Sequence, residues 1–198
     1  MPKVTEAHRE ARRQQIARAA LACLRRSGVS NTSMADIIAE SGLSAGAIYS
    51  NFTNKAELAA YVAGTIISAR ARHFERMSGS PITPLEVAIG MLESMRDEDV
   101  PFDVVVQFWA EATGDDELLA AVSATVTGLR AEFARAIEPW VRQKYPQSVV
   151  RTTEKLSIAM ISVCQGYILN AALFGAADAR DYLESVASAL SSAPSAGN

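Results

Sequence analysis

The stretch TSMADIIAESGLSAGAIYSNFTNKAEL, residues 32–58, contains start and stop signals for two short helices and the beginning of a third. Ser33 and Asp36 have the spacing of a capping box, in which hydroxyl and carboxylate each satisfy a backbone N–H group. Gly42 follows the apolar residues of the first helix, where a left-handed residue ends a helix at low cost. Ser44 is then the N-cap of the second helix. Helices joined by so short a turn cross one another, which predicts a helix-turn-helix.

The second helix, expected from Ser44 to about Phe52, carries very small side chains on its outward positions, Ala45, Gly46 and Ala47. Glycine inside a helix costs about 1 kcal/mol relative to alanine, so small size is tolerated or required here. Such a face can lie close to base edges in the DNA major groove, where alanine methyl groups contact thymine methyl groups and serine forms hydrogen bonds.

Two further side chains suit contacts with DNA phosphates. Tyr49 ends the second helix with a hydroxyl on a rigid ring, and Lys55 opens the next helix, where Asn54 and Glu57 form a further cap pair. Each has a structural alternative: Tyr49 as a half-buried tyrosine that closes the small domain, and Lys55 as a solvated lysine at a helix start. Their spacing on one edge of the motif favours the phosphate contacts.

The run from Gly42 to Tyr49, followed by Phe52, Asn54-Lys55 and Glu57-Leu58, resembles the DNA-binding domain of the TetR family of bacterial transcriptional repressors. The resemblance implies an all-α homodimer with an N-terminal three-helix DNA-binding domain. It also implies a C-terminal bundle of about five to six helices that binds a small-molecule inducer. The DNA-binding residues expected on this basis are Ser33, Ser44, Ala45, Gly46, Ala47, Tyr49, Ser50, Asn51 and Lys55.

Two positions depart from the family pattern. Ala47 stands where many relatives carry threonine, and Ser50-Asn51 stands where bulkier aromatic or histidine pairs are frequent. The operator of a relative therefore does not predict the operator of this chain.

Charge is divided unequally along the 198 residues. Residues 1–80 contain 11 Lys and Arg against 6 Asp and Glu, whereas residues 81–198 contain 8 against 16, so the two parts carry +5 and −8. This places the field that attracts DNA on the N-terminal part. An arm can contact phosphates there, and a solvated basic face is the alternative. The residues that concentrate this charge are Lys3, Arg9, Arg12 and Arg13.

Apolar periodicity predicts a chain that is helical throughout. We expect a DNA-binding domain over residues 1–54, with the helix-turn-helix at about 33–52, and a ligand-binding and dimerisation domain over 55–198. A linker helix over about 55–77 joins them. Pro139 is expected to kink or end one of the later helices. Other helices are expected at about 7–26, 84–98, 101–113, 115–143, 149–174 and 178–191.

The second half has apolar and aromatic residues with a few polar groups among them, which is typical of a ligand pocket between helices and equally of a core. A buried polar group needs a partner, and a small apolar or amphipathic inducer can supply one. The residues predicted to line such a pocket are Met91, Met95, Phe108, Trp109, Glu111, Phe133, Tyr167 and Asn170.

Small residues distributed around the apolar helix at 157–174 predict close approach of a neighbouring helix. With Tyr182, Val186, Ala187 and Leu190 they predict a homodimer that forms through about residues 150–191. Two recognition helices would then read a pseudo-palindromic operator with half-sites about one turn apart.

Cys23 and Cys164 lie far apart in amphipathic stretches and are expected to be buried apolar residues, which suits an intracellular protein. We expect no leader and no membrane span, because polar residues interrupt the longest apolar run, 156–174. A cytoplasmic protein is therefore predicted.

An enzyme is the competing class. His8 and His73 have no carboxylate or cysteine at metal-ligand spacing, and no phosphate loop or nucleophile elbow is present in the sequence. No catalytic residue, metal or cofactor is therefore predicted. A ligand carrier or interaction module that has lost DNA binding is a third alternative, which the charge division and the intact motif oppose. The sequence thus predicts a ligand-released repressor.

Overall fold

The computed structural model describes residues 6–59, 61, 62, 81–97 and 100–192, with side chains described as far as residue 189. Every regular element within these ranges is a helix, which confirms the predicted all-α class. The helices are α1 Glu6–Ser27, α2 Met34–Ser41, α3 Ala45–Tyr49, α4 over residues 55–59 and 61–62, α5 Pro84–Asp97, α6 Phe102–Ala112, α7 Asp116–Lys144, α8 Val149–Phe174 and α9 Ala179–Ser192.

The chain forms two compact units. Unit 1 is Met1–Ile67 with Val104–Thr125, and unit 2 is Ser68–Asp103 with Val126–Asn198. Most of α6 and the first turns of α7 therefore pack with the N-terminal helices. The domain boundary expected after residue 54 stays a prediction, and the remainder of the linker helix expected to residue 77 lies outside the described residues.

The core of unit 1 joins α1, α2, α3 and α4. Its members follow the helical period on each element, so each helix turns one apolar stripe towards the others. Full burial of a large aliphatic or aromatic side chain contributes about 1.5–3 kcal/mol, which is what holds helices as short as α2 and α3 in place. The buried cluster consists of Ile16, Ala20, Cys23, Ile37, Ile48, Phe52, Leu58 and Val62.

Phe108 of α6 packs against two smaller apolar clusters of unit 1. The first consists of Leu24, Val29 and Val104, at the end of α1 and on α6. The second consists of Ala59, Ala112 and Leu118, which bring α4, α6 and α7 together. Through these contacts α6 is part of the same packed body as the helix-turn-helix.

In unit 2, Tyr167 of α8 is buried to 1% exposure. Its hydroxyl donates a hydrogen bond to the Ala177 carbonyl at 2.7 Å, and its ring centre lies 5.9 Å from that of Phe102 and 5.4 Å from that of Tyr182. Burial also raises the pKa of the Cys164 thiol to about 12, and this free cysteine is buried as predicted.

Pro139 lies inside α7, which continues to Lys144. The proline therefore does not end the helix. On the same helix, an ion pair between Arg135 and Glu132 precedes the proline, and an ion pair between Arg142 and Glu138 spans it.

One described helix, α8, is long and apolar enough to cross a membrane by length and composition alone. Within its most apolar window 33% of the residues are buried. We expected the polar residues to interrupt this apolar run. The mean hydropathy of the helix is nevertheless high enough for a membrane span, because the apolar neighbours outweigh Gln165 and Asn170. A core helix with one exposed apolar face has the same composition.

Candidate nucleic-acid interface

The start of α2 is fixed by the predicted capping box. Ser33 Oγ accepts a hydrogen bond from the Asp36 N–H at 3.2 Å, and Asp36 Oδ2 accepts from the Ser33 N–H at 2.8 Å. Hydrogen bonds that the Asp36 carboxylate accepts from the Ser33 hydroxyl and from the Ser33 N–H hold the pKa of Asp36 below its ordinary value of 3.8. Gly42 ends the helix with φ +66°, as predicted.

Helix α3 begins as predicted but is shorter than expected. Ser44 Oγ accepts from the Ala47 N–H at 3.2 Å, which confirms the N-cap. The helix ends at Tyr49, because the N–H groups of Asn51 and Phe52 both bond to the Ile48 carbonyl at 2.9 Å and the chain tightens into a turn. This turn brings Phe52 into the core, where it is 0% exposed.

On the outward face of α3, nothing packs against the position of Gly46, the smallest residue. A Cβ atom added to Gly46 would have no neighbour within 4 Å, so the fold itself does not require glycine there. Ser44 and Ala45 are also exposed, and Tyr49 is 49% exposed. The surface can therefore be approached closely from outside.

Ser50 and Asn51 are turned back onto their own helix. Ser50 Oγ donates to the Ala47 carbonyl at 2.9 Å, and Asn51 Nδ2 donates to the same oxygen at 2.8 Å. Both side chains thus stabilise the end of α3 in this structure, although both were predicted to contact DNA.

Lys55 is not a free solvated lysine. Its Nζ donates to the Val29 carbonyl and lies 3.9 Å from Glu111 Oε2. Glu111 Oε1 accepts from Ser30 Oγ at 2.5 Å, and Gln107 Oε1 accepts from the Val29 N–H at 2.8 Å. We call these five residues, Val29, Ser30, Lys55, Gln107 and Glu111, the α6 seam.

At the start of α4, Asn54 and Glu57 form only one of the two hydrogen bonds of a reciprocal cap. Asn54 Oδ1 accepts from the Glu57 N–H at 2.8 Å, as an N-cap does. The Glu57 carboxylate, however, accepts from the Thr53 N–H at 2.7 Å and from the Thr53 hydroxyl at 2.8 Å instead of from Asn54. These bonds hold the pKa of Glu57 below its ordinary value of 4.5.

Two arginines of the predicted basic arm have partners inside unit 1. Arg12 Nη1 donates to Gln15 Oε1 at 3.0 Å. Arg13 Nη1 donates to the Asn51 carbonyl at 2.8 Å, which places this cation at the exit of α3. Lys3 lies outside the described residues.

The eight predicted pocket residues fall in both units. In unit 2, Met91, Met95, Phe133 and Tyr167 are buried, and Asn170 is exposed with its amide bonded to the Gly166 carbonyl at 3.4 Å. In unit 1, Phe108 packs in the clusters described above, Trp109 is half-buried, and Glu111 belongs to the α6 seam. The pocket stays a prediction.

Unit 2 also contains a cleft of about 540 Å³ between α7 and α8. Its lining includes none of the eight predicted pocket residues. Within the described ranges, no group of three or more His, Cys, Asp and Glu side chains is placed to hold a metal ion. The lining residues are Thr127, Arg130, Ala131, Ala134, Glu138, Arg142, Val149, Val150, Thr153, Glu154 and Ser157.

Sequence comparison places the helix-turn-helix in a known family. Residues 16–62 match the bacterial regulatory proteins of the tetR family. The chain is 39% identical over 57 residues to the uncharacterized HTH-type transcriptional regulator YfiR of Bacillus subtilis (strain 168). This match spans 29% of the chain and 28% of that relative's length.

The fold is similar to that of solved regulators over nearly the whole chain. A TetR-family transcriptional regulator from Syntrophomonas wolfei str. Goettingen superposes with a TM-score of 0.74 at 16% identity, covering 96% of this chain and 99% of that one. GusR of Salmonella enterica gives 0.68 at 20% identity, covering 96% and 97%. At these identities the likeness concerns the fold alone. The helix-turn-helix domain, residues 16–62, thus belongs to the TetR family of bacterial regulatory proteins.

Proposed function

We propose that this transcriptional regulator represses transcription by binding a pseudo-palindromic DNA operator as a homodimer, and that a small apolar or amphipathic ligand releases it. The single observation that carries the DNA-binding part is the face of α3. It is exposed, it is bare at Gly46, where nothing lies within 4 Å of an added Cβ, and it is held at both ends by caps. A helix with this face suits close approach to base edges and to thymine methyl groups.

The phosphate contacts are proposed for Tyr49 and Lys55. The residues proposed to lie near the bases are Ser44, Ala45 and Ala47. Tyr49 is 49% exposed at the end of α3, where its hydroxyl can reach a backbone phosphate. Lys55 is held by the α6 seam, so a phosphate would compete with Glu111 for its ammonium group. Contact of Lys55 with a phosphate would then weaken its ion pair with Glu111 in the α6 seam.

The homodimer is proposed to form through about residues 150–191. Large apolar side chains on α8 are exposed without a partner within the described residues: Ile158 is 46% exposed, Leu169 43% and Leu173 62%. Burying such a face against its symmetry mate would remove apolar surface from water, at about 25 cal/mol per Å². Leu190, which was predicted to take part, lies among the residues whose side chains are not described.

Release by a ligand is proposed to act through α6. Phe108 and Glu111 both contact helices of the DNA-binding motif inside unit 1. A ligand that binds beside Trp109 and displaces α6 would therefore change the setting of α1 and α4. The ligand can shift the equilibrium towards the displaced state only by the difference between its binding free energies for the two states.

The test is DNA binding by fluorescence anisotropy, with duplexes first selected from random sequence. Tyr49→Phe and Lys55→Ala should each weaken binding to all duplexes, and Lys55→Ala should reduce the slope of log affinity against log salt by about one. Lys144→Ala, which removes an exposed cation at the end of α7 and outside the proposed dimer interface, is the matched control and should change neither quantity. Unchanged affinity when Tyr49→Phe and Lys55→Ala are combined, or affinity that does not fall with salt concentration, would refute the proposed interface.

Repression and release need a second experiment. A reporter gene placed behind the selected operator should be silenced by the protein, and compounds that reverse binding in vitro should restore its expression. Activation of the reporter by the protein would contradict the repressor role while leaving DNA binding intact.

A further inference from the structure

Arg13 lies in the middle of α1, but its guanidinium group is packed at the exit of α3. The Cζ atom lies 4.2 Å from the ring centre of Phe52 and 4.6 Å from that of Tyr61. The Arg13 side chain is 21% exposed, and Phe52 is completely buried. A cation that lies over two adjacent aromatic rings is attracted by both, and more strongly where water is excluded.

The same guanidinium group makes two polar contacts. Its Nη1 donates to the Asn51 carbonyl at 2.8 Å and lies 3.7 Å from Glu57 Oε1. The Glu57 carboxylate is itself fixed by two hydrogen bonds from Thr53. One side chain of α1 therefore contacts the turn that follows α3, at Asn51 and Phe52, and also contacts α4.

Helix α3 depends on such contacts for its orientation. It has five residues, and a helix of that length is not stable by itself in water. Ile48 and Phe52 anchor its inner side in the core, and the carbonyl of Asn51 receives the Arg13 hydrogen bond just beyond its last turn. An arginine suits this position because a planar guanidinium can stack and donate at once, whereas a lysine ammonium cannot stack in this way.

We propose that Arg13 is a positioning residue for DNA recognition, which fixes the angle at which α3 meets the groove without touching DNA itself. The inference rests on the proposed DNA-binding function. It replaces the sequence-based expectation that this arginine belongs to an arm that contacts phosphates. A positioning residue affects the sequence specificity of binding, whereas a phosphate contact affects its dependence on salt concentration.

The test compares Arg13→Lys with the unaltered full-length protein on its selected duplex and on a scrambled duplex. A displaced α3 should weaken binding to the selected duplex about tenfold or more, because mispositioned base contacts lose sequence readout. Binding to the scrambled duplex and the slope of log affinity against log salt should not change, because the positive charge and the phosphate contacts remain.

Arg18→Lys is the matched control. Arg18 is an exposed arginine on the same helix and has no assigned contact with DNA, so its replacement should leave both affinities unchanged. In Arg13→Lys, amide NMR signals of Ala45, Gly46 and Ala47 should shift while those of α9 stay in place. If Arg13→Lys does not fold, Glu57→Gln is examined in the same way, since it removes the ion pair and leaves the ring contacts.

Three results would overturn the proposal. These are unchanged affinity for the selected duplex, equal weakening on both duplexes with a salt slope reduced by about one, and a lowered melting temperature with an unchanged ratio of the two affinities. The last would mean that Arg13 stabilises the fold without setting the recognition helix. If the unaltered protein binds no selected duplex, the proposed function itself fails, so the two failures are distinct.

Discussion

Glu111 Oε2 lies 3.9 Å from Lys55 Nζ, while Glu111 Oε1 accepts a hydrogen bond from Ser30 Oγ at 2.5 Å. One carboxylate of α6 thus holds both the loop after α1 and the first turn of α4. The Lys55 side chain is 32% exposed and that of Glu111 28%, so the pair is within reach of water and of an approaching phosphate.

Glu111→Gln should strengthen DNA binding by up to about fivefold, because a partly exposed ion pair contributes at most about 1 kcal/mol and its loss frees Lys55 for a phosphate. The amide oxygen of the glutamine can still accept the Ser30 hydrogen bond, so the loop should keep its place. Anisotropy at several salt concentrations measures the effect.

Glu117→Gln is the control for the change in net charge. Glu117 Oε2 accepts from Asn54 Nδ2 at 2.7 Å, so the same charge is removed close to α4 without breaking a contact to Lys55. An equal gain in affinity in both variants would mean that general electrostatics, and not the release of Lys55, is responsible.

Gly28→Ala should destabilise the protein more than Gly42→Ala. Both glycines have positive φ, +78° and +66°, where alanine is strained by about 1–2 kcal/mol. Only at Gly28 would the new Cβ also lie 2.9 Å from Gln107 Oε1, which would displace the acceptor of the Val29 N–H group.

The additional loss at Gly28 should be about 1 kcal/mol, the usual net contribution of one hydrogen bond. Urea unfolding of the two variants measures the difference. Equal free energies of unfolding would show that the side chain of Gln107 moves aside without consequence.

Stability should fall in acid because of Asp36 and Glu57. Hydrogen bonds from Ser33 lower the pKa of Asp36, and hydrogen bonds from Thr53 lower the pKa of Glu57. A carboxylate with a lowered pKa in the folded state stabilises it above the unfolded pKa, and this contribution is lost as pH falls through the folded value. The contribution of these groups to the free energy of unfolding should therefore be full and constant above about pH 6 and should decline below about pH 4.5.

Urea unfolding between about pH 6 and about pH 3 measures this dependence. Asp36→Asn with Glu57→Gln should flatten it, whereas Glu154→Gln, on the exposed side of α8, should leave it as it is. A decline of the same size in the double variant would assign the acid sensitivity to other groups.

Leu169→Glu with Leu173→Glu should convert the proposed dimer to a monomer. Both leucines are exposed on α8, and a carboxylate at an apolar interface would lose its hydration without gaining a partner. Light scattering after size-exclusion chromatography measures the mass, and circular dichroism checks that the helices remain. Leu119→Glu, at a leucine that is 47% exposed on α7, is the control, and a double variant of unchanged mass would refute the proposed interface.

The sequence predicts the local part of this structure well. The capping box of Ser33 and Asp36 and the left-handed Gly42 are relationships within a few residues, so the residue types alone indicate them. The predicted bounds of the long described helices hold to within one residue, because each has a continuous apolar stripe. The end of α3 was placed three residues too late, since Phe52 continues the apolar pattern although it belongs to the turn.

Contacts distant in sequence could not be predicted from such patterns. Arg13 and Asn51 are 38 residues apart, and Ser30 and Glu111 are 81 apart. Periodicity shows which face of a helix is apolar, but not which other segment covers it. For this reason Glu111 was expected to line a pocket, and Arg13 was expected to lie in a basic arm.

Because no atom lies within 4 Å of a Cβ added at Gly46, packing inside the protein does not restrict the residue at this position on the proposed DNA-binding face. The Cβ atom of an alanine would meet no neighbour within that distance, and alanine would favour the helix by about 1 kcal/mol. With α3 reading the operator as proposed, operator preference would be altered by a substitution at this one site without a compensating change elsewhere in the fold.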